Sequence, residues 1–394
     1  MTLAHHCLHE GERPAECVHC GRCLDACPLF RATGLEELSP RAKFMLAEAI
    51  DKGVAPPSAE AARRLAELCL SCGRCEKACP EGLCAPDLIA RLRAAAPGFQ
   101  ALAWKTWIER AGLLWPVAGL MARLAPRELP GRFGLHAASL RAMAARPGIR
   151  PWLTPSRFDA CGNGKSAVLF QGCTARHARP SWTKKARALL RGAGYAVGKD
   201  PGFACCGCTM GHAGCKNEQR AMQAANLNAW RAAGRPLLVT FCATCRCGLR
   251  SYASVDLGFE PFEAEAWCEA IKPLSALLGE TEFACDEAAA PARFHYHRPC
   301  HGAGGGQDED FLRRVAGERL GRASRDECCG LGGVLQIAAP ELGARVAEKA
   351  WDFFAAGQGE QVLTGCGGCV LQLSSTAPKG VDAGHWLDAV AVTD

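Results

Sequence analysis

Residues 236–245, PLLVTFCATC, run apolar and β-branched for six positions and then present two cysteines two residues apart. So short an apolar run reads as a buried strand, and the cysteines then fall just past its carboxyl end. The same grammar recurs where SAVLFQG leads into Cys173 and where QVLTG leads into Cys366. Between these strands lie helical stretches, KNEQRAMQAANLNAWRAAG (216–234) and PELGARVAEKAWDFFAAG (340–357), each expected to stop at its glycine. Strands alternating with helices predict parallel α/β sheets, in which ligand groups gather at the carboxyl ends of the strands.

Working outward, the cysteines form two matching sets. One is Cys173, the pair Cys205–Cys206 before Gly207, and Cys242 with Cys245; the other is Cys300, the pair Cys328–Cys329 before Gly330, and Cys366 with Cys369. Corresponding members recur 123 to 127 residues apart, so a unit of that length is repeated. Each set offers five thiols, one more than a tetrahedral zinc or a four-iron cubane takes. Adjacent thiolates suit neighbouring irons of a larger cluster better than one small ion, with structural zinc and a metal-free redox disulfide as the other readings. Gly207 and Gly330 are expected to let the backbone pass close to that group.

Nearer the start, CVHCGRCLDACP (17–28) and CLSCGRCEKACP (69–80) both follow C-x2-C-x2-C-x3-C-P. In this run the fourth cysteine serves the cluster held mainly by the other run. The expected ligands are therefore Cys17, Cys20, Cys23 and Cys79 for one [4Fe-4S] cubane, and Cys69, Cys72, Cys75 and Cys27 for a second. Gly21 and Gly73 are expected to allow close approach of the loop. Between the runs, Ser39-Pro40 reads as an N-cap with proline at the first helical position, and Ser58 as a second cap. The unit reads as helical, not β-rich.

The chain has 394 residues and 26 cysteines, too long to need disulfides for folding. Its start, MTLAHHCLHEGERPAECVHC, carries no export pattern, which predicts a cytoplasmic chain with reduced thiols. No apolar run reaches bilayer length; the longest, Ala111–Ala122, has twelve residues and contains Pro116. The net charge is +6, while residues 91–150 alone carry ten Arg or Lys against two Glu. That stretch, with Trp104, Trp107 and Trp115, fits either an interfacial helix against an anionic membrane or partner, or a buried inter-domain helix. With no recognisable binding module, nucleic acid is not an expected partner. CGNGKS at 161–166 fails as a phosphate loop, because Asp159 stands where glycine is needed and a strand follows. Cys7, Cys84, Cys161, Cys208, Cys215, Cys247, Cys268 and Cys285 read most simply as buried small side chains, with Cys208 and Cys247 next to the first ligand set. His297 and His301 flank Cys300 and are candidates to hydrogen-bond cluster sulfur. No flavin or nicotinamide fingerprint and no hydrolytic constellation stands out.

Two helical-ferredoxin runs followed by two CCG units resemble the CCG-domain proteins related to heterodisulfide reductase, and most nearly the iron–sulfur subunits of glycolate oxidase and FAD-linked D-lactate dehydrogenases. SPRAK (39–43), HRPCH (297–301) and GCGGCVLQL (365–373) carry that likeness. The resemblance implies an α plus α/β fold: a helical ferredoxin domain at 1–95, a basic helical linker at 96–160, and CCG domains with parallel sheets at 161–285 and 286–394. It implies one or two CCG-bound iron–sulfur clusters, in some members noncubane and bound by all five cysteines, with zinc at one site as the alternative. It further implies electron transfer from an FAD-binding 2-hydroxyacid dehydrogenase subunit to a quinone or membrane-bound acceptor, with the chain cytoplasmic or peripheral on the membrane. Disulfide reduction at a CCG cluster is the rival. FCATC keeps both Cys242 and Cys245, where glycolate oxidase subunits often lack a full C-x2-C, which favours two complete sets.

Overall fold

The computed structural model describes residues 16–54, 56, 60–126, 129–302 and 306–392. Cys7, the HHCLH start and the Ser58 cap lie outside these residues.

Short helices carry the two ferredoxin runs. Arg22–Ala26 and Arg74–Ala78 each begin after a glycine in the left-handed region, Gly21 at φ 79° and Gly73 at φ 72°. No non-local protein atom lies within 4 Å of a Cβ built on Gly73, and its left-handed backbone is itself a reason for glycine. Ser39 caps the Pro40–Asp51 helix by accepting from the Ala42 N–H, as the sequence predicts. That helix and Ala85–Ala95 bury Phe44, Leu88, Ile89 and Leu92 in one core with Cys75.

The basic segment forms three helices, Phe99–Glu109, Ala111–Leu124 and Gly131–Ala144. It is not helical throughout, because Leu153–Arg157 is a strand, β1. Trp152 and Leu153 are fully buried on the α/β layer, and their backbones bond Ala389 and Ala391, so burial and edge pairing win over helix there.

Nine more strands follow among the described residues: β2 Ser166–Phe170, β3 Ala196–Val197, β4 Leu237–Thr240, β5 Ile271–Pro273, β6 Glu282–Cys285, β7 Phe294–His297, β8 Leu320–Ala323, β9 Gln361–Thr364 and β10 Asp382–His385. β1 and β6 pair antiparallel. The rest form two parallel four-stranded sheets, β3-β2-β4-β5 and β8-β7-β9-β10, the same order in each repeat. The expected helices are present at Lys216–Ala232 and Pro340–Phe354, but the second ends at Ala355, itself left-handed at φ 48°, two residues before the expected glycine.

The sheets share one core. Trp182, Leu189 and Val239 of the first repeat pack with Phe294, Leu363, Trp386 and Leu387 of the second. Trp182 Nε1 donates to Asp388 Oδ1 at 2.7 Å, and Ala243 N–H donates to Gly365 O at 2.8 Å. A further cluster joins Cys27, Leu29 and Leu70 of the ferredoxin unit to Cys328, Leu335 and Val346.

Candidate metal centre and adjoining cavity

All 25 described cysteines are free thiols. In the ferredoxin unit, Cys17, Cys20, Cys23 and Cys79 line one small cavity, while Cys27, Cys69, Cys72 and Cys75 line a second. These are the two groups that the crossed run pattern predicts, with Cys75 also reaching the first. Burial pushes the Cys75 thiol up to about 12 and raises Cys27 as well. Lys43, from the SPRAK stretch, is 2% exposed and sits in the field of Cys69, Cys27 and Cys75. Its Nζ donates to Leu38 O at 2.5 Å, and burial lowers its pKa. A buried cation beside four thiols suits a centre carrying negative charge.

In the α/β layer Cys173 lies just past β2, Cys242 past β4, Cys300 past β7 and Cys366 past β9, where the parallel sheets predict them. The thiols form a file in which each perturbs the titration of the next: Cys173 and Cys205, Cys205 and Cys206, Cys206 and Cys245, and Cys245 and Cys242. Cys242 then meets Cys366, and the file continues through Cys369, Cys329 and Cys328 to Cys300. Cys72 of the ferredoxin unit faces Cys328 and Cys300. Hydrogen bonds from Cys205 and Cys245 hold Cys206 down at about 6. Those from Cys300 and Cys329 lower Cys328, and those from Cys242 and Cys369 lower Cys366, while the other seven CCG thiols are raised.

The donor set fits iron–sulfur clusters on a structural ground beyond the thiols. Ser71 Oγ, Arg74 Nε, His297 Nε2 and Arg298 Nε are buried without a hydrogen-bond partner, all beside Cys72, Cys300 or the second CCG pair. Inorganic sulfide is the kind of acceptor such donors lack. A ring nitrogen of His297 lies within 4.8 Å of the Cys329 and Cys369 sulfurs, whereas His301 turns to Ser71 O at 3.2 Å and Thr244 Oγ1 at 3.1 Å. His297 is therefore the histidine facing that second set.

Some sequence expectations change. A Cβ on Gly207 would meet Gln219, and one on Gly330 would collide with the Gly343 carbonyl oxygen, so helix packing and positive φ each call for glycine there. Gly172 and Gly248 are set against thiols of the first CCG set, with a Cβ built on each lying 2.7 Å from Cys245 Sγ and 3.2 Å from Cys206 Sγ, respectively. Of the extra cysteines, Cys84 and Cys208 are buried, but Cys161, Cys215, Cys247, Cys268 and Cys285 are partly exposed. Cys208 packs at 3.9 Å from His212 Nε2, within reach of His301.

Sequence reading missed Lys43 and Arg74 as neighbours of the centres, and it missed a cavity of about 410 Å³ at the outer end of the file. All five thiols of the first CCG set, Cys173, Cys205, Cys206, Cys242 and Cys245, line it, and Trp104, Trp107 and Trp115 stand in the same lining. The tryptophan spacing signalled an apolar face but not what it enclosed. The Ala111–Leu124 helix also turns Leu113, Val117, Leu120, Met121 and Leu124 outward, each at least half exposed. No helix among the described residues is long and apolar enough to cross a membrane.

The model for a 4Fe-4S dicluster domain matches residues 14–83, and the model for a cysteine-rich domain matches residues 167–250 and 294–374. The chain is similar to a probable glycolate oxidase iron-sulfur subunit of Bacillus subtilis (strain 168), 25% identical over 93% of this chain and 89% of the relative. It is similar to the glycolate oxidase iron-sulfur subunit of Escherichia coli (strain K12), 22% identical over 95% and 92% of the two chains. It is also similar to one of the subunits of the fumarate reductase (CoM/CoB) of Methanothermobacter marburgensis, 22% identical over 92% of this chain and 68% of the relative. The matched domains together span more than half of the sequence, and the chain belongs to the CCG-domain iron–sulfur proteins.

Proposed function

We propose that this protein is the electron-transfer subunit of a flavin-linked 2-hydroxyacid dehydrogenase, taking electrons from an FAD-bearing partner and delivering them to a quinone or another acceptor. The observation that carries the reading is the unbroken sulfur file from Cys72 to Cys173. The glycolate oxidase names of two relatives support the dehydrogenase class. In this reading Cys17, Cys20, Cys23 and Cys79 hold one cubane, Cys69, Cys72, Cys75 and Cys27 the second, and each CCG set of five holds a further cluster.

When bound, the clusters supply reversible one-electron storage. The chain's residues set the conditions for it. Lys43 offsets charge at the second cubane, His297 and Arg74 offer hydrogen bonds toward the second CCG set, and the surrounding apolar clusters keep water out. The exposed row on the Ala111–Leu124 helix, within a segment rich in arginine, supports peripheral seating on an anionic membrane.

The test is anaerobic mixing of the cluster-loaded chain with the flavoprotein of its own host and its 2-hydroxyacid. Substrate-dependent bleaching of the clusters is expected; bleaching by dithionite but never by the flavoprotein overturns the assignment. The rival is disulfide reduction at the CCG thiols that line the cavity beside Cys173. Turnover of a disulfide by the isolated chain with an artificial donor supports that rival; a conduit gives none.

A further inference from the structure

The cavity at the outer end of the sulfur file has a chemistry of its own. Among the described residues its lining contains no Lys, Arg, Asp or Glu; apart from the thiols, His136 is its titratable side chain. A 2-hydroxyacid carboxylate, a nucleotide phosphate or a disulfide with charged tails would be stripped of water there with nothing to offset its charge. Its volume, about 410 Å³, takes in the space among the five thiols, where the first CCG cluster would sit, as well as the space beside the tryptophans, and lies in the range of small-molecule sites.

Three polar atoms in that lining are buried and without a partner: Trp104 Nε1, Gln336 Oε1 and Gln372 Oε1. Gln372 is 2% exposed and Gln336 9%, and the Gln336 amide nitrogen is already spent on Ser139 Oγ at 3.0 Å. The cavity thus offers one hydrogen-bond donor and two acceptors among indole faces. Leaving them unmatched is costly, so an occupant that pairs them is favoured. An uncharged ring that accepts in one redox state and donates in the other meets this pattern: the oxygen of a quinone accepts from Trp104, and the hydroxyls of the quinol donate to Gln336 and Gln372.

We propose that this cavity is the exchange site for a quinone, seated on the tryptophans with its ring edge toward Cys173 and Cys205. This rests on the electron-transfer reading above and assigns its acceptor end. The step balances as quinone plus two electrons plus two protons giving quinol. The electrons arrive singly along the file from the flavin donor, and the protons come from solvent, with His136 at the cavity wall. The Phe99–Glu109, Ala111–Leu124 and Gly131–Ala144 helices wall the cavity on their inner side, and the second of them shows its apolar row outside, which gives a lipid-borne carrier a short route in.

The experiment uses the full cluster-loaded chain under anaerobic conditions and a dimethylated naphthoquinone whose ring carbons are blocked against thiol addition. Saturable binding at one site by calorimetry is expected, together with reoxidation of dithionite-reduced clusters by the quinone. Leu140→Trp, which fills the cavity, should abolish binding. Trp104→Phe, which keeps an aromatic ring but removes the N–H, should weaken it about tenfold. Unchanged iron content and visible spectrum certify that each variant is folded. Absence of saturable binding to the wild-type chain, or equal binding by Leu140→Trp, overturns the proposal. If wild-type clusters then still cycle between the flavoprotein and ferricyanide, the quinone site alone falls; if they accept no electrons from the flavoprotein, the electron-transfer reading falls with it.

Discussion

Lys43 illustrates what a single residue does here. Its ammonium is buried among Cys27, Cys69 and Cys75, so its charge is felt through little water and weighs on a centre that gains negative charge on reduction. Lys43→Met is expected to lower the potential of the iron–sulfur centre proposed at Cys27, Cys69, Cys72 and Cys75 by roughly 60 mV, one tenfold step for a one-electron couple, with iron content unchanged and Lys43→Arg restoring it. EPR-monitored redox titration reads this; an unmoved potential refutes it. Far from the sulfur, Glu263 receives hydrogen bonds from Arg231 and then Arg235, which hold its carboxyl at about 2, below the usual 4.3 or so of an unfolded glutamate. A depressed carboxyl stabilises the fold above the unfolded pKa and loses that contribution as pH falls through the folded one. The Tm gap between wild type and Glu263→Gln should therefore stay constant from pH 8 to 5 and narrow below about pH 4. A gap that shrinks between pH 8 and 6 contradicts the assignment. The candidate ligand cysteines were legible because their spacing is local, C-x2-C-x2-C-x3-C and CCG. Lys43, Arg74 and His297 reach the sulfur only through tertiary packing, and spacing carries no record of that.

At the scale of elements, the strands preceding Cys173, Cys242 and Cys366 and the two long helices were readable from apolar period and length. β1 was not, because LTPSR has weak strand character and is held by pairing with β6, more than a hundred residues away. The Ala111–Leu124 helix has two apolar sides: Ala111, Trp115 and Ala122 face inward, while Leu113, Val117, Leu120, Met121 and Leu124 face out. A helix apolar on both sides fits neither a plain buried helix nor a solvated one. Co-sedimentation with anionic vesicles, weakened by salt and lost with zwitterionic ones, is expected of the wild-type chain. Leu120→Glu with Leu124→Glu should reduce it about tenfold, through lost apolar burial and added negative charge. Equal sedimentation of the double variant argues for a partner protein on this face instead.

Across the whole molecule, the repeat was visible as matched offsets, and the structure adds that the repeats are not independent. Trp182 and Trp386 lie in a core drawn from both sheets, and the ferredoxin unit shares Leu29 and Leu70 with residues around Cys328. Trp386→Ala is expected to cost about 3–5 kcal/mol and to lower the melting of both repeats together, seen as one displaced calorimetric transition. Two transitions of which only the later moves would contradict a common core.

The meeting of Cys242 with Cys366 bears on how the protein matures. Before any iron is installed, the file is a row of neighbouring dithiols, and dioxygen would stitch such pairs into crosslinks that metal cannot enter. A newly made chain must therefore be loaded in a reducing setting ahead of exposure to air, and material left bare should return from aerobic handling colourless and internally bridged.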